Sequence, residues 1–383
     1  MFSKKLTKHL ILSSILTLSL ALTACTPAVT STKTDGTATQ PQTSTTSPTT
    51  TTAVATTAPK PDTQATTTAA SKIVLTDVIG REVVLDKPAT LIVGTHNPTL
   101  NAAVVLGGGG RFIGGFGNKD MSRGLYDAVI DKFEGLVQIG KGKTINFETI
   151  LATGADLAII PERFKDQVVE FEKINMPVLV ALPNEESFKT VTTSLELLGK
   201  ALGVSDRATA INAFFQAKID NAKSITSKVT DRKKIIFLGG SSQLSVAPAA
   251  MIQTQLIDVA GGVNAVSGIE GKGDFVDVNI EQIIQWDPEV IWFPSYAAYN
   301  VETILNDPAW QNITAVKTKQ VFAFPSKLEP WDQPTAALAL GIAWATHNLH
   351  PELYTKADVQ KDVDEFYTLV YGKTFTAQQL GIE

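Results

Sequence analysis

The stretch Ile145-Asn146-Phe147-Glu148-Thr149-Ile150-Leu151, followed shortly by Asp156-Leu157-Ala158-Ile159-Ile160, recurs 133 residues later as Val278-Asn279-Ile280-Glu281-Gln282-Ile283-Ile284 and Glu289-Val290-Ile291-Trp292-Phe293. Each copy reads as a loop, a short helix opening with Asn-x-Glu and a buried strand, so the chain holds two similar α/β lobes. Around the copies, short apolar runs alternate with segments of helical length: 91–94, 112–114, 157–160 and 178–182 first, then 235–238, 290–293 and 321–324. That alternation predicts mainly parallel sheets covered by helices. Two strand-like runs, 73–78 and 83–85, split by Gly80-Arg81, open the folded part. Between the lobes, Ala208, Ile211, Phe214, Phe215, Ile219 and Ala222 fall three or four residues apart. This spacing predicts one long amphipathic helix over 205–230, after Gly203 and with Ser205 as its N-cap. The lobes then span 72–204 and 231–383, and a single rigid connector predicts only modest rotation between them.

Upstream of the lobes the composition changes. Lys4, Lys5 and Lys8 precede an apolar run from Leu10 to Ala24, too short for a membrane span, which reads as a secretory signal over residues 1–24. The run ends in Leu22-Thr23-Ala24-Cys25, which resembles the bacterial lipobox, and the chain's one cysteine stands where that motif needs its lipid-bearing thiol. Two or three acyl chains, at about 0.8 kcal/mol per buried CH₂, make a durable anchor. From Thr26 to Ser71, 23 of 46 residues are Ser or Thr, the rest mostly Ala, Pro and Gln. Such a segment cannot offset its chain entropy, and residues 25–71 read as a lipidated, solvated tether with a reach of roughly 35 to 40 Å.

Charge and motif content exclude several functions. With 33 basic against 38 acidic side chains the net charge is −5, and no Lys/Arg block offers itself to nucleic acid. One cysteine excludes an intrachain disulfide framework and a multi-cysteine metal centre. Gly142-Lys143-Thr144 lacks the earlier glycine of a phosphate-binding loop, since position 137 is Val137. Gly107 to Gly110 follow a helix and precede a strand, the context of a helix C-cap rather than of a dinucleotide fingerprint. Gly239-Gly240-Ser241-Ser242-Gln243 is not a nucleophile elbow. His347 and His350 read as helix-end residues complementing the helix dipole, not as a metal site. His96 differs: His96-Asn97-Pro98-Thr99 lies at the C-terminal end of a strand and the start of a helix, where α/β folds place ligands.

These features coincide in one family. The chain resembles the class III substrate-binding proteins of ABC importers, the group that captures iron-siderophores, haem, corrinoids and, in one branch, molybdate or tungstate. The matching stretches are Asp77-Val78-Ile79-Gly80-Arg81-Glu82-Val83, Gln255-Leu256-Ile257 with Ala260-Gly261-Gly262-Val263-Asn264, Trp286-Asp287-Pro288-Glu289-Val290-Ile291, and Asp307-Pro308-Ala309-Trp310 with Ala315-Val316-Lys317. Pro330-Trp331-Asp332-Gln333-Pro334 and Leu340-Gly341-Ile342-Ala343-Trp344 look most like the molybdate-receptor branch, although Thr335-Ala336-Ala337 replaces its more usual Ser- and Arg-containing segment. The resemblance implies two Rossmann-like α/β lobes joined by a single helix, a ligand cleft between them, no catalysis and no cofactor of the protein's own. It also implies an extracytoplasmic monomer, held on a membrane through Cys25, that delivers its ligand to a permease dimer with a cytoplasmic ATPase. In such proteins a glutamate matching Glu148 and one matching Glu281 pair with arginines on the two permease subunits.

Loops at strand C-termini supply the candidate ligand residues: His96, Asn97, Thr99, Lys141 with Lys143, Arg163, Ser241, Tyr296, Tyr299 and Trp331. Lys141, Lys143 and Arg163 suit an anion, and Tyr296, Tyr299 and Trp331 offer flat faces to an organic chelate. The expected ligand is an iron complex or related metal chelate, whether siderophore, haem or corrinoid; the alternative is a molybdate or tungstate oxyanion. A surface-anchored hydrolase is the competing reading from another class, and it lacks a nucleophile–base pair. Ligand size separates the first two, because an oxyanion needs a small polar pocket and a large chelate an open aromatic cleft.

Overall fold

A computed structural model describes residues 72–111, 114–115, 124–131, 133–141, 144–271 and 273–382. The signal segment, Cys25, the tether and Lys143 lie outside the described residues, as does the side chain of Lys141.

The first lobe opens with an antiparallel hairpin, β1 (Ile73–Thr76) and β2 (Glu82–Leu85). Its turn is built by Asp77, whose Oδ1 accepts from the backbone N–H of Ile79 and Arg81 at 3.1 and 2.9 Å while its Oδ2 takes the Arg81 guanidinium at 2.9 Å. There follow β3 (Ile92–Gly94), α1 (Asn97–Gly107), β4 (Gly114–Gly115), α2 (Leu125–Val129), β5 (Val137–Gln138), β6 (Gly140–Lys141), β7 (Thr144–Ile145), α3 (Phe147–Thr153), β8 (Leu157–Pro161), a 3₁₀ turn (Glu162–Gln167), α4 (Val168–Lys173), β9 (Val178–Leu182) and α5 (Phe188–Ala201). Strands β5-β4-β3-β8-β9 form a parallel sheet in that order. Every residue of β8 and β9 is buried, which is why both read as unbroken apolar runs: helices cover both faces. Helix α1 ends as expected at a left-handed glycine, Gly108 with φ +62°, whose N–H returns to the Val104 and Val105 carbonyls.

Helix α6 (Ser205–Thr226) leads to the second lobe, shorter at its end than the predicted 205–230. Ser205 is its first helical residue and not its cap. The chain turns straight out of α5 through Gly203 (φ +67°), so the Val204 carbonyl already accepts from Ala208 and no side chain caps the end. All six apolar residues predicted for its inner face are buried, and each large one contributes about 1.5 to 3 kcal/mol. The helix is not a free-standing rod. It packs on α5, and an added methyl at Gly199 would stand 2.6 Å from Ala208 Cβ.

The second lobe runs β10 (Lys234–Phe237), β11 (Ser245–Val246), α7 (Ile252–Val259), β12 (Val263–Asn264), β13 (Val276–Asp277), α8 (Ile280–Trp286), β14 (Val290–Pro294), α9 (Val301–Leu305), α10 (Thr314–Lys317), β15 (Val321–Phe324), α11 (Leu338–Leu349), α12 (Lys356–Tyr371) and α13 (Ala377–Leu380). Its parallel sheet has the order β12-β10-β14-β15, which repeats β4-β3-β8-β9 of the first lobe. The repeat extends to single side chains. Asn146 Oδ1 caps α3 by accepting from Thr149 N at 3.0 Å, and Asn279 Oδ1 caps α8 from Gln282 N at 2.9 Å. Left-handed residues end both helices, Gly154 and, 133 positions on, Asp287. The aspartate tolerates φ +44° because its carboxylate accepts from Thr314 N and Oγ1 at 2.8 and 2.9 Å. Asp156 takes the N–H groups of Thr90 and Leu91, and its counterpart Glu289 takes that of Lys234.

Two features depart from the sequence reading. Helix α12 packs on α11 of its own lobe and also reaches α6 and α1, with Phe366 against Phe214 at 5.6 Å and Asp362 Oδ1 2.5 Å from Lys218 Nζ. At the end of α11, His347 Nδ1 lies 2.6 Å from the Tyr354 carbonyl, outside its own helix. Burial keeps His350 below the ordinary imidazole range, so it adds no positive charge to the helix end.

Candidate ligand site between the lobes

Parallel strands bring their C-terminal ends to one edge of each sheet, and there the two lobes meet. From the first lobe come His96 after β3, the 3₁₀ turn with Arg163 after β8, and Asn184 to Glu186 after β9. From the second come Gly239 to Gln243 after β10, Asp274 ahead of β13, Ser295 to Tyr299 after β14 and Pro325 to Gln333 after β15. The approach is close. Asn97 Nδ2 donates to Gln333 Oε1 at 3.4 Å, Phe188 N to Gln255 Oε1 at 3.1 Å, and a side chain at Gly273 (φ +82°) would meet the Asn184 carbonyl at 2.6 Å.

His96 occupies the N-cap position of α1 with its Nδ1 buried and without a hydrogen-bond partner. Burial holds its pKa well below the ordinary 6.5, and the nearby Arg163 charge pushes the same way, so the ring is a neutral imidazole. Arg163 is an exposed residue on the rim. Desolvation lowers its pKa, while the carboxylates of Glu186 and, from the facing lobe, Asp274 oppose that shift. Glu186 is itself pushed up to about 7 by burial, with Arg163 opposing and Asp274 adding to the rise. His96, Arg163, Glu186 and Asp274 together therefore supply a neutral nitrogen, a fixed cation and two carboxyls, one of them easily protonated. Among the described residues no group of three or more His, Cys, Asp or Glu is placed to hold a metal ion.

Several candidates prove to be scaffold. Trp331 is fully buried, its Nε1 donating to Tyr367 Oη at 3.4 Å, because the Pro325–Trp331 turn folds the indole back onto α12. Tyr299 spends its hydroxyl on the Gly239 carbonyl at 2.7 Å, and its ring lies tilted against Phe293 at 5.1 Å. Thr99 is buried, and its Oγ1 donates to the His96 carbonyl at 2.8 Å. Trp331 and Thr99 are closed off by burial, whereas Tyr299 is half-buried with its hydroxyl engaged. Tyr296 remains half open, its ring against Gly240 and its hydroxyl 3.4 Å from Asp332 Oδ2, and Ser241, on the neighbouring loop after β10, is exposed. Sequence reasoning missed Glu186, Asp274 and Asp332. Glu186 was reachable, since it follows β9 by the rule that selected Arg163. Asp274 lies on the long loop after β12, a two-residue strand that the sequence pattern does not mark, and only the fold brings it across.

A model of the periplasmic binding protein family matches residues 102–328, more than half of the chain. The chain belongs to the periplasmic binding protein family. It is 24% identical over 333 residues to the molybdate-binding protein MolA of Haemophilus influenzae, covering 80% of this chain and 93% of MolA. A periplasmic solute-binding protein from Veillonella parvula superposes with a TM-score of 0.71 at 21% identity, over 81% of this chain and 95% of that one. Helicobacter pylori CeuE, in its complex with nickel and histidine, does so at 0.67 and 19%, over 79% and 97%. The expected class III architecture is thus the observed one, shared with MolA of Haemophilus influenzae, the molybdate-binding protein of an ABC transporter.

Proposed function

We propose that the protein captures a compact metal-containing solute, a metal oxyanion or a small chelate, between His96, Asn97 and Arg163 on one lobe and Ser241 and Tyr296 on the other, and hands it to a permease. The observation that carries this reading is the burial of Trp331 and the engagement of the Tyr299 hydroxyl by the Gly239 carbonyl, which leave Tyr296 as the most open of the three candidate aromatic side chains among the described residues. A haem or corrinoid needs more flat surface than that. Molybdate, bound by MolA, and nickel with histidine, bound by CeuE, are both small enough. Calorimetry of the full chain against molybdate, tungstate, nickel–histidine, a ferric siderophore, haem and a corrinoid tests it. Saturable heat with one of the first three is expected; tight binding of haem or a corrinoid alone would overturn the size argument.

Delivery is assigned to the repeated helices. Residues 145–153 and 278–286 are buried, half-buried or exposed in the same order, position by position. Glu148 and Glu281 are exposed in both copies, and one turn on stand two exposed apolar side chains, Leu151 at 52% and Ile284 at 37%. An acid beside an apolar residue, once per lobe, suits a two-fold partner that offers a cation beside an apolar surface. Cys25 holds the receptor near that partner through its lipid. Uptake by a receptor-deleted strain carrying the Glu148→Gln, Glu281→Gln double variant should fall while ligand affinity is unchanged. Full uptake at normal expression would reduce both glutamates to helix-end residues.

A further inference from the structure

A buried acid spans the lobe junction. Glu329, 3% exposed, hangs from a tight turn in which Ser326 Oγ donates to the Glu329 carbonyl at 2.8 Å and Trp331 N donates to that of Pro325 at 2.9 Å. Its carboxyl is met by two neutral donors, Asn101 Nδ2 from α1 of the other lobe at 2.8 Å and the Tyr367 hydroxyl from α12 at 3.0 Å. Beside it lies a cavity of about 10 Å³ lined by Asn97, Asn101, Tyr126, Glu329, Gln333 and Thr335. Two buried atoms on that lining, Asn101 Oδ1 and Thr335 Oγ1, have no hydrogen-bond partner.

An ionised carboxylate held by two neutral donors is costly to bury, and it leaves the Asn101 oxygen with nothing to accept. A neutral acid has a proton to give. The two ends of an asparagine amide are nearly the same shape, so a turned-over Asn101 accepts the Glu329 Oε2–H across the same 2.8 Å. Its NH₂ then faces the cavity where Thr335 Oγ1 lacks a donor. Asn101 lies on the same helix as His96 and Asn97, and Glu329 on the same loop as Asp332 and Gln333, so this link fixes the two walls of the cleft relative to each other. We propose that Glu329 is a positioning residue: as a neutral acid it clasps the lobes through Asn101 and sets the cleft geometry, and its ionisation loosens the clasp.

The surroundings agree. Burial pushes Glu329 up to about 7, the Asn101 and Tyr367 hydrogen bonds opposing. The ionisable groups facing it are Tyr126 from α2 and Tyr367 and Tyr371 from α12, with Arg207 of α6 beyond Tyr371. Burial first, and then the Glu329 charge, raises all three tyrosines, so none of them titrates near neutrality.

The proposal rests on the inter-lobe cleft as the ligand site, but its test uses no ligand. Full-chain wild type, Glu329→Gln and Glu329→Leu are compared by infrared spectroscopy and by amide hydrogen exchange of α1 and of residues 325–333, referenced to α5. A carboxylic-acid band missing from both variants should be present in wild type at about pH 6 and vanish by about pH 8, with exchange at the junction rising at least about tenfold over the same range. Glu329→Gln should hold the slow exchange at every pH, and Glu329→Leu should exchange fast throughout. Absence of the acid band at about pH 6, or junction exchange in Glu329→Leu equal to wild type at every pH, would overturn the proposal.

Discussion

Replacing Glu329 by glutamine should flatten the pH dependence of stability. In the unfolded chain this carboxyl titrates near its ordinary 4.5; in the folded protein burial pushes it up to about 7. Below 4.5 both states are protonated and stability is full. Between the two values the folded protein keeps a proton that the unfolded chain has released, so stability falls as pH rises, by about 1.4 kcal/mol per pH unit. The loss is complete above about 7 and totals about 3 kcal/mol, a factor of a few hundred in the unfolding equilibrium. Glu186 moves in the same direction, but its partial exposure to water shrinks its share. Urea midpoints of the full chain across about pH 4.5 to 8.5 read the difference between wild type and Glu329→Gln, which cancels what Glu186 adds. That difference should move by about 3 kcal/mol toward the variant as pH rises. A difference constant with pH would show that Glu329 ionises in the folded protein as it does in water.

Gly341→Ala should cost about 3 kcal/mol or more in chemical denaturation, because the new methyl lands 2.1 Å from the Trp331 carbonyl and neither backbone can yield; a loss below about 1 kcal/mol would contradict the packing of α11 on that loop. Asn146→Ala and Asn279→Ala should each lose about 1 kcal/mol and add in the double variant, lying in separate lobes; a neutral result for either refutes its capping role. Arg163→Gln should weaken calorimetric binding of molybdate by about ten- to a hundredfold, and unchanged affinity would remove Arg163 from the site. Solution scattering with and without ligand should show a small change in radius of gyration, since α6 is packed along its length; a large drop would contradict a rigid connector.

The architecture is legible in the sequence because it is written twice. The repeat offset of 133 by itself places the lobes, the capping asparagines and the central strands, and unbroken runs such as Val178–Leu182 mark strands covered on both faces. Strand β12 is not legible, since Val263-Asn264 is two residues long and gains its pairing only from β10 beside it. The site is legible in part. The strand-end rule finds His96, Arg163 and Tyr296, but it says which loops meet and not which way a side chain turns. Trp331 and Tyr299 have better partners in Tyr367 and the Gly239 carbonyl than a cleft offers. Glu329 lies inside a selected loop yet carries no mark there, because a glutamate between Leu328 and Pro330 gives no sign that a tyrosine and an asparagine from distant helices enclose it.

The central claim is that these two lobes close on a small metal-containing solute. Crystals of the full chain purified from its native host, with anomalous scattering recorded at the absorption edges of molybdenum, tungsten, iron and nickel, test it most directly. One compact anomalous peak is expected, between His96 and Arg163 on one side and Tyr296 on the other. A macrocycle in the cleft, or a cleft holding only water in protein that restores uptake, would contradict it.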